Sequence, residues 1–165
     1  MDTIFTRISV RHFGPKPVEE EKIDKVLRAA FAAPSAKNQQ PWEFFVVTNR
    51  DVLQELGNAT PYAGPVRNAT AAIVVAYRKE GLNVPEFAQI DCAIATENIL
   101  LELEALGLGG VMIGTAPHKP QMAAVAKAVN MPDHLEAFTV VAFGYPAKRR
   151  PQEDRYDAER IHYVK

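Results

Sequence analysis

A short polar segment carries the first chemistry in this chain. Ala33-Pro34-Ser35-Ala36-Lys37-Asn38-Gln39-Gln40-Pro41-Trp42 stands between a helical pattern and a strand pattern. Each proline removes a backbone donor and biases its predecessor away from the helical region, so the segment is irregular. Ser35, Asn38, Gln39 and Gln40 offer uncharged donors and acceptors at close spacing, which suits a polyol or the edge of a heterocycle. The same residues also make an ordinary polar turn, and local physics alone favours that simpler reading.

Three further blocks accompany it: Arg7-Ile8-Ser9-Val10-Arg11 near the start, Gly107-Leu108-Gly109-Gly110-Val111-Met112-Ile113-Gly114, and Gly144-Tyr145-Pro146 followed by Arg155-Tyr156. In this order and spacing the blocks resemble the nitroreductase family of FMN-dependent oxidoreductases, over essentially the whole chain. The resemblance implies FMN as cofactor, NADH or NADPH as electron donor and a small electron-poor acceptor such as a nitroaromatic or quinone. It also implies ping-pong turnover, and a homodimer with FMN at its interface.

The resemblance carries over residue by residue. Arg7, Ile8, Ser9 and Arg11 match the block that grips phosphate and ribityl, and Arg155 matches the late basic residue that closes on the phosphate. Pro34, Ser35, Ala36 and Asn38 match the block that approaches the flavin from the other subunit. Gly114 and Thr115 match the backbone near flavin N5, with Ile113 packing near the ring. One departure is plain: many relatives place a second cation beside the late arginine, whereas Glu153 and Asp154 precede Arg155 here. A flavin phosphate carries charge near −2, and each charge-assisted hydrogen bond to it contributes roughly 1.5–3 kcal/mol. Arg7 and Arg11 converge on it if one helix carries both; if the chain breaks at Ser9, its hydroxyl and local amides join them. As bare residues they are two solvated arginines, the usual fate of that side chain.

The elements that must position these groups are read from periodicity. Ile4, Phe5 and Ile8 predict a short first helix. Pro17 predicts the start of a second, with Glu19, Glu20 and Glu21 in its first turn and Ile23, Val26, Leu27, Ala30 and Phe31 as its apolar stripe. Strands are predicted at 43–48, 71–77, 109–113 and 137–144, and helices at 51–56, 85–106 and 119–129. Residues 59–68, with Pro61, Gly64 and Pro65, read as a loop. The helix over 85–106 is apolar most of the way round, which suggests burial on a second side at a subunit interface. Ile161, Tyr163 and Val164 form a strand-like tail suited to pairing with an exposed sheet edge, its own or a partner's. Trp42 reads as a core or interface aromatic.

Helices and strands without strict βαβ alternation predict α+β with antiparallel pairing, in one domain over residues 1–165; the resemblance implies a mixed or antiparallel central sheet flanked by helices. The family adds a C-terminal segment exchanged within the homodimer. Nineteen basic against twenty acidic residues give a net charge of −1, which argues against a nucleic-acid binder. No stretch is long and apolar enough to span a membrane. The only cysteine, Cys92, reads as a small buried hydrophobe, and the chain as cytoplasmic. His12, His118, His134 and His162 are scattered singly without metal-ligand spacing, so no metal is expected. Gly107 to Gly110 lack the spacing of a dinucleotide fingerprint. No side chain is assigned as catalytic, because the flavin would carry the hydride. Two other readings use the same residues: a flavin-sequestering module without turnover, and a specialised flavoenzyme of the same superfamily that dehalogenates, desaturates or fragments flavin.

Overall fold

A computed structural model describes residues 2–165. After a single 3₁₀ turn at Thr3–Phe5, the chain runs extended to the first helix, α1 (Glu20–Phe31), which begins just after Pro17 and Val18. The strands and further α-helices are β1 (Trp42–Val47), α2 (Arg50–Leu56), α3 (Gly64–Asn68), β2 (Ala71–Arg78), α4 (Ala88–Ala105), β3 (Gly109–Gly114), α5 (Lys119–Ala128) and β4 (Leu135–Gly144), with further 3₁₀ turns at Ala36–Asn38, Pro85–Phe87 and Ala158–Arg160. No described helix is long and apolar enough to cross a membrane.

The strands form one sheet in the order β1-β2-β4-β3, antiparallel throughout. The expected α+β class holds, and its mixed sheet resolves into an antiparallel one. β2 and β4 are central and buried on both faces, as their unbroken apolar runs require. Alternate residues feed two cores. Ile73, Val75 and Tyr77 pack with Trp42 against α1 and α4, while Ala72 and Val74 pack on the opposite face with Leu53, Val66 and Val125 from α2, α3 and α5. Cys92 lies in the first core, where burial pushes its thiol up to about 12, reinforced by the neighbouring Asp91 charge.

Several local expectations change. The first helix stops after one turn because Ile4 and Phe5 find no core within the chain and stay exposed. Phe31 also leaves the expected apolar stripe and meets Phe44 edge-on, with ring centroids 5.2 Å apart. The loop over 59–68 contains α3, whose start is preset by Pro65. Residues 161–164 are exposed and pair with no strand of the same chain.

Gly107 ends the segment after α4 at φ +74°, a left-handed position suited to glycine. Gly110 answers a different need. A Cβ there would lie 2.7 Å from Leu103 Cδ1 and 3.3 Å from the Ala142 carbonyl oxygen, so its absence lets α4 lie flat on β3. Gly110→Ala is expected to destabilise the fold by about 1–3 kcal/mol through overpacking. The check is thermal unfolding of the cofactor-free protein, and an unchanged midpoint would contradict the packing argument.

Candidate functional site

The segment after the first turn lies on the outer edge of β3. Ser9 bridges Gly110 in parallel register, and the Val10 amide donates to the Gly110 carbonyl at 2.9 Å. A Cβ on Gly109 would fall 2.5 Å from Val10 Cγ2, so glycine there permits the close approach. In this extended stretch, neighbouring side chains point to opposite sides. Ile8 and Val10 are buried, while Arg7, Ser9 and Arg11 turn outward together. The chain therefore breaks before Ser9, and period-two alternation rather than a helical turn brings the arginines to one side.

The C-terminal tail returns to the same place. Gln152 donates from its amide to the carbonyls of Ile4 at 3.0 Å and Arg7 at 2.8 Å. Arg149 holds the preceding turn, donating to both carboxylate oxygens of Glu104 at 2.8 and 3.0 Å and to the Leu108 carbonyl at 2.9 Å. The result is a cavity of about 120 Å³ on which Arg7, Ser9, Arg11 and Arg155 converge with Arg150. Arg7 is shared with Glu97 of α4, its Nε 3.2 Å from a carboxylate oxygen, and Arg150 pairs with Glu153 at 2.8 Å. Arg11 makes only a long 3.5 Å contact to its neighbour's carbonyl, and Arg155 has no polar partner among the described residues. Two guanidinium groups not required by the fold thus face one cavity, an arrangement suited to a dianionic phosphate.

From Gly110 the strand runs four residues to Gly114, roughly 13–14 Å at the rise of a strand. β3 is a sheet edge, and among the described residues no strand pairs with its outer side. Gly114 is exposed, and a Cβ placed there would have nothing within 4 Å. Ile113 differs from the expected side-chain packing near the ring, whereas Thr115 is expected to offer backbone alone. Ile113 is 3% exposed with its side chain in the α2–α3–α5 core, and Thr115 is wholly buried. Strand alternation turns these side chains inward, so both residues offer only backbone to anything on the edge. Met112, not anticipated from the sequence, is an exposed apolar side chain two residues before Gly114.

Pro34, Ser35, Ala36 and Asn38 lie elsewhere within the chain and do not line the arginine cavity. Their loop sits on the first turn of α4, where Asp91 accepts from the Ala36 amide at 2.9 Å. Glu97, the partner of Arg7, stands six residues further along the same helix, roughly 9 Å away along its axis. Between and around them Phe87, just before α4, and Ile90 and Ile94 on it are exposed, with Ile4 and Phe5 also uncovered. Arg150 and Gln152 were legible only as parts of a polar tail; no local signal distinguishes them from a solvated turn.

The model of the nitroreductase family matches residues 4–63 and 58–145. A protein of Methanothermobacter thermautotrophicus bearing the name "Putative NADH dehydrogenase/NAD(P)H nitroreductase" is 38% identical over 165 residues, covering 100% of this chain and 86% of its own. The crystal structure of "Putative NADH Oxidase" from Clostridium acetobutylicum superposes with a TM-score of 0.95 at 41% identity, covering 99% of each chain. A second crystal structure, of a "putative nitroreductase in complex with fmn" from Desulfovibrio desulfuricans, has a TM-score of 0.82 at 26% identity and covers 99% of this chain and 95% of that one.

Proposed function

This chain belongs to the nitroreductase family, and from that premise we propose that it is an FMN-dependent oxidoreductase passing electrons from NADH or NADPH to a small electron-poor acceptor, such as a nitroaromatic or quinone. The observation that carries this reading is the pairing of two ends of the β3 outer edge, which Ser9 and Val10 cover at Gly110 and which is open beyond it. Arg7, Ser9, Arg11 and Arg155 gather at the Gly110 end, and an unobstructed glycine stands at the Gly114 end. A phosphate fits the first end by charge, and a flat heterocycle fits the second by space. FMN in that position supplies a reversible hydride acceptor at N5.

The residues have distinct parts. Arg11 and Arg155 neutralise the phosphate, with Arg7 held ready by Glu97 and the Ser9 hydroxyl beside them. Ile8 buries its side chain and fixes the strand-like path of the segment. The backbone of Ile113, Gly114 and Thr115 would offer amide and carbonyl groups to a ring held along this edge. Pro34, Ser35, Ala36 and Asn38 reach the flavin of the second subunit. The exposed apolar side of α4, with Ile4 and Phe5, supports a homodimer whose interface holds the cofactor. The uncovered tail at Ile161, Tyr163 and Val164 supports exchange onto the partner's sheet. Donor and acceptor taking the same open place in turn would give ping-pong kinetics. Residues 79–87 run into α4 beside the loop carrying Ser35 and Asn38 and border the acceptor's place. The 165 residues act as one FMN-binding domain, and a single buried cysteine with a nicotinamide donor fits the cytoplasm.

The test is an absorbance spectrum after adding FMN and removing the excess, repeated anaerobically with NADH and with NADPH. Retained flavin that bleaches with a nicotinamide is the expected result. Retained flavin that never bleaches would favour a sequestering module, and a colourless protein would overturn the reading. Steady turnover with a quinone would separate a general reductase from a specialised member of the superfamily.

A further inference from the structure

Asp91 is only 2% exposed and forms no ion pair among the described residues. Its two oxygens are instead spent on one loop. Oδ1 accepts from the Ala36 amide at 2.9 Å, and Oδ2 accepts from Gln39 Nε2 at 2.7 Å. Its place in the first turn of α4 favours a carboxylate there through the helix dipole. Gln39 is itself 8% exposed, and it reaches a second loop. Its Nε2 donates to the Val84 carbonyl at 3.0 Å while its Oε1 accepts from the Val84 amide at 3.1 Å. One side-chain amide thus satisfies both backbone groups of Val84, as a neighbouring strand would.

The loop held in this way is unusual in its backbone. Lys37, Asn38 and Gln40 have φ of 49°, 53° and 43°, a left-handed region that side-chain-bearing residues hold only when their surroundings over-determine it. The surroundings do so here. Arg78 donates to the carbonyls of Gln39 at 2.9 Å and Gln40 at 3.2 Å, and the Ser35 hydroxyl oxygen accepts from the Gln40 amide at 3.0 Å. The outcome is that Gln39 turns inward while Asn38 stays exposed.

We propose that Asp91 and Gln39 form a positioning clamp that presents Ser35 and Asn38 to the cofactor and ties the 79–87 loop to them, so that the cofactor-facing loop and the acceptor-bordering loop are held as one unit. The inference rests on the flavin reading above, in which these two loops face FMN and acceptor. Neither Asp91 nor Gln39 touches the reacting groups; both act through the loops they hold.

The two arms of the clamp separate by mutation. Gln39→Ala frees Val84 but leaves Asp91 on the Ala36 amide, whereas Asp91→Ala frees the Ala36 amide and unties the Ser35–Asn38 end of the loop from α4, leaving Gln39 on Val84 and Arg78 on the far end. Amide hydrogen exchange is expected to quicken about tenfold or more at Val84 in Gln39→Ala and at Ala36 in Asp91→Ala, because each loses a buried partner. FMN affinity is expected to fall about tenfold or more in Asp91→Ala and to stay within about threefold in Gln39→Ala. In turnover with 1,4-benzoquinone, Gln39→Ala is expected to raise the acceptor KM while the rate of flavin reduction by nicotinamide is unchanged. A purely structural role would move stability alone and would not produce this split. If Asp91→Ala does not fold, Asp91→Asn serves, since it keeps an acceptor for Ala36 and sets an amide against that of Gln39. Unchanged FMN affinity in the Asp91 variant, or faster exchange at Val84 with an unchanged acceptor KM, overturns the proposal. If the parent protein retains no FMN, the flavin reading fails, and the clamp is then judged by exchange alone: unaltered protection of Ala36 and Val84 in the variants overturns it.

Discussion

Arg11→Ala combined with Arg155→Ala is expected to weaken FMN binding by about 10²–10⁴-fold while leaving the unfolding temperature unchanged. The size follows from two charge-assisted hydrogen bonds of roughly 1.5–3 kcal/mol each. The lack of a stability effect follows from the fold's indifference to both side chains. Arg11 makes one 3.5 Å contact within its own segment, and Arg155 makes no polar contact among the described residues. Arg7 is the useful contrast. Its ion pair with Glu97 spans from the segment to α4, so Arg7→Ala is expected to lose affinity and up to about 1 kcal/mol of stability together. Flavin-fluorescence titration with thermal unfolding of the cofactor-free protein measures both quantities. Affinity in the parent protein should also fall as salt is raised, and less steeply in the double variant, since fewer charges remain to be screened. Unchanged affinity with both arginines gone would show that the phosphate lies elsewhere.

Much of this geometry was legible in the residues, and the rest was hidden for identifiable reasons. Strands and long helices were readable because each buries a face with its own period: the unbroken apolar run of β2 states its burial on both faces, and Ala95, Ile99 and Leu103 mark the side of α4 that the core covers. The antiparallel order β1-β2-β4-β3 was not, because strand pairing is a long-range property that no local window contains. The segment Arg7-Ile8-Ser9-Val10-Arg11 alternates charged or polar with β-branched residues, which is strand periodicity. It is also open to a helical reading through Ile4, Phe5 and Ile8, but Ile4 and Phe5 are exposed while Ile8 is buried as part of the extended segment, so no common helix face is covered there. Asp91 was concealed differently. An acidic residue in the first turn of a helix ordinarily marks a solvated dipole partner, and only the three-dimensional approach of Ala36 and Gln39 reveals it as a buried anchor. The left-handed turn at Lys37 and Asn38 carries no glycine to announce it.

At the other end of the strand edge, Gly114→Val is expected to leave the cofactor-free fold intact and to weaken FMN binding by roughly 5- to 150-fold, the range set by an overpacking cost of about 1–3 kcal/mol. The backbone at Gly114 is not left-handed, and an added Cβ meets nothing within 4 Å, so the chain itself does not exclude a side chain. A β-branched residue also suits a strand and restricts the unfolded chain more than glycine does, which makes the expected stability change neutral or slightly favourable. Whatever excludes valine must then be a bound group lying along the edge. Gly110 shows the opposite behaviour, since its missing Cβ is needed by Leu103 and Ala142 in the folded chain itself. The two ends can be separated with inorganic phosphate as the probe. Gly114→Val should still bind phosphate at the arginine cavity, whereas the Arg11 and Arg155 double variant should lose it. FMN affinity unaffected by Gly114→Val would place the ring away from this strand end, even if the phosphate assignment survived.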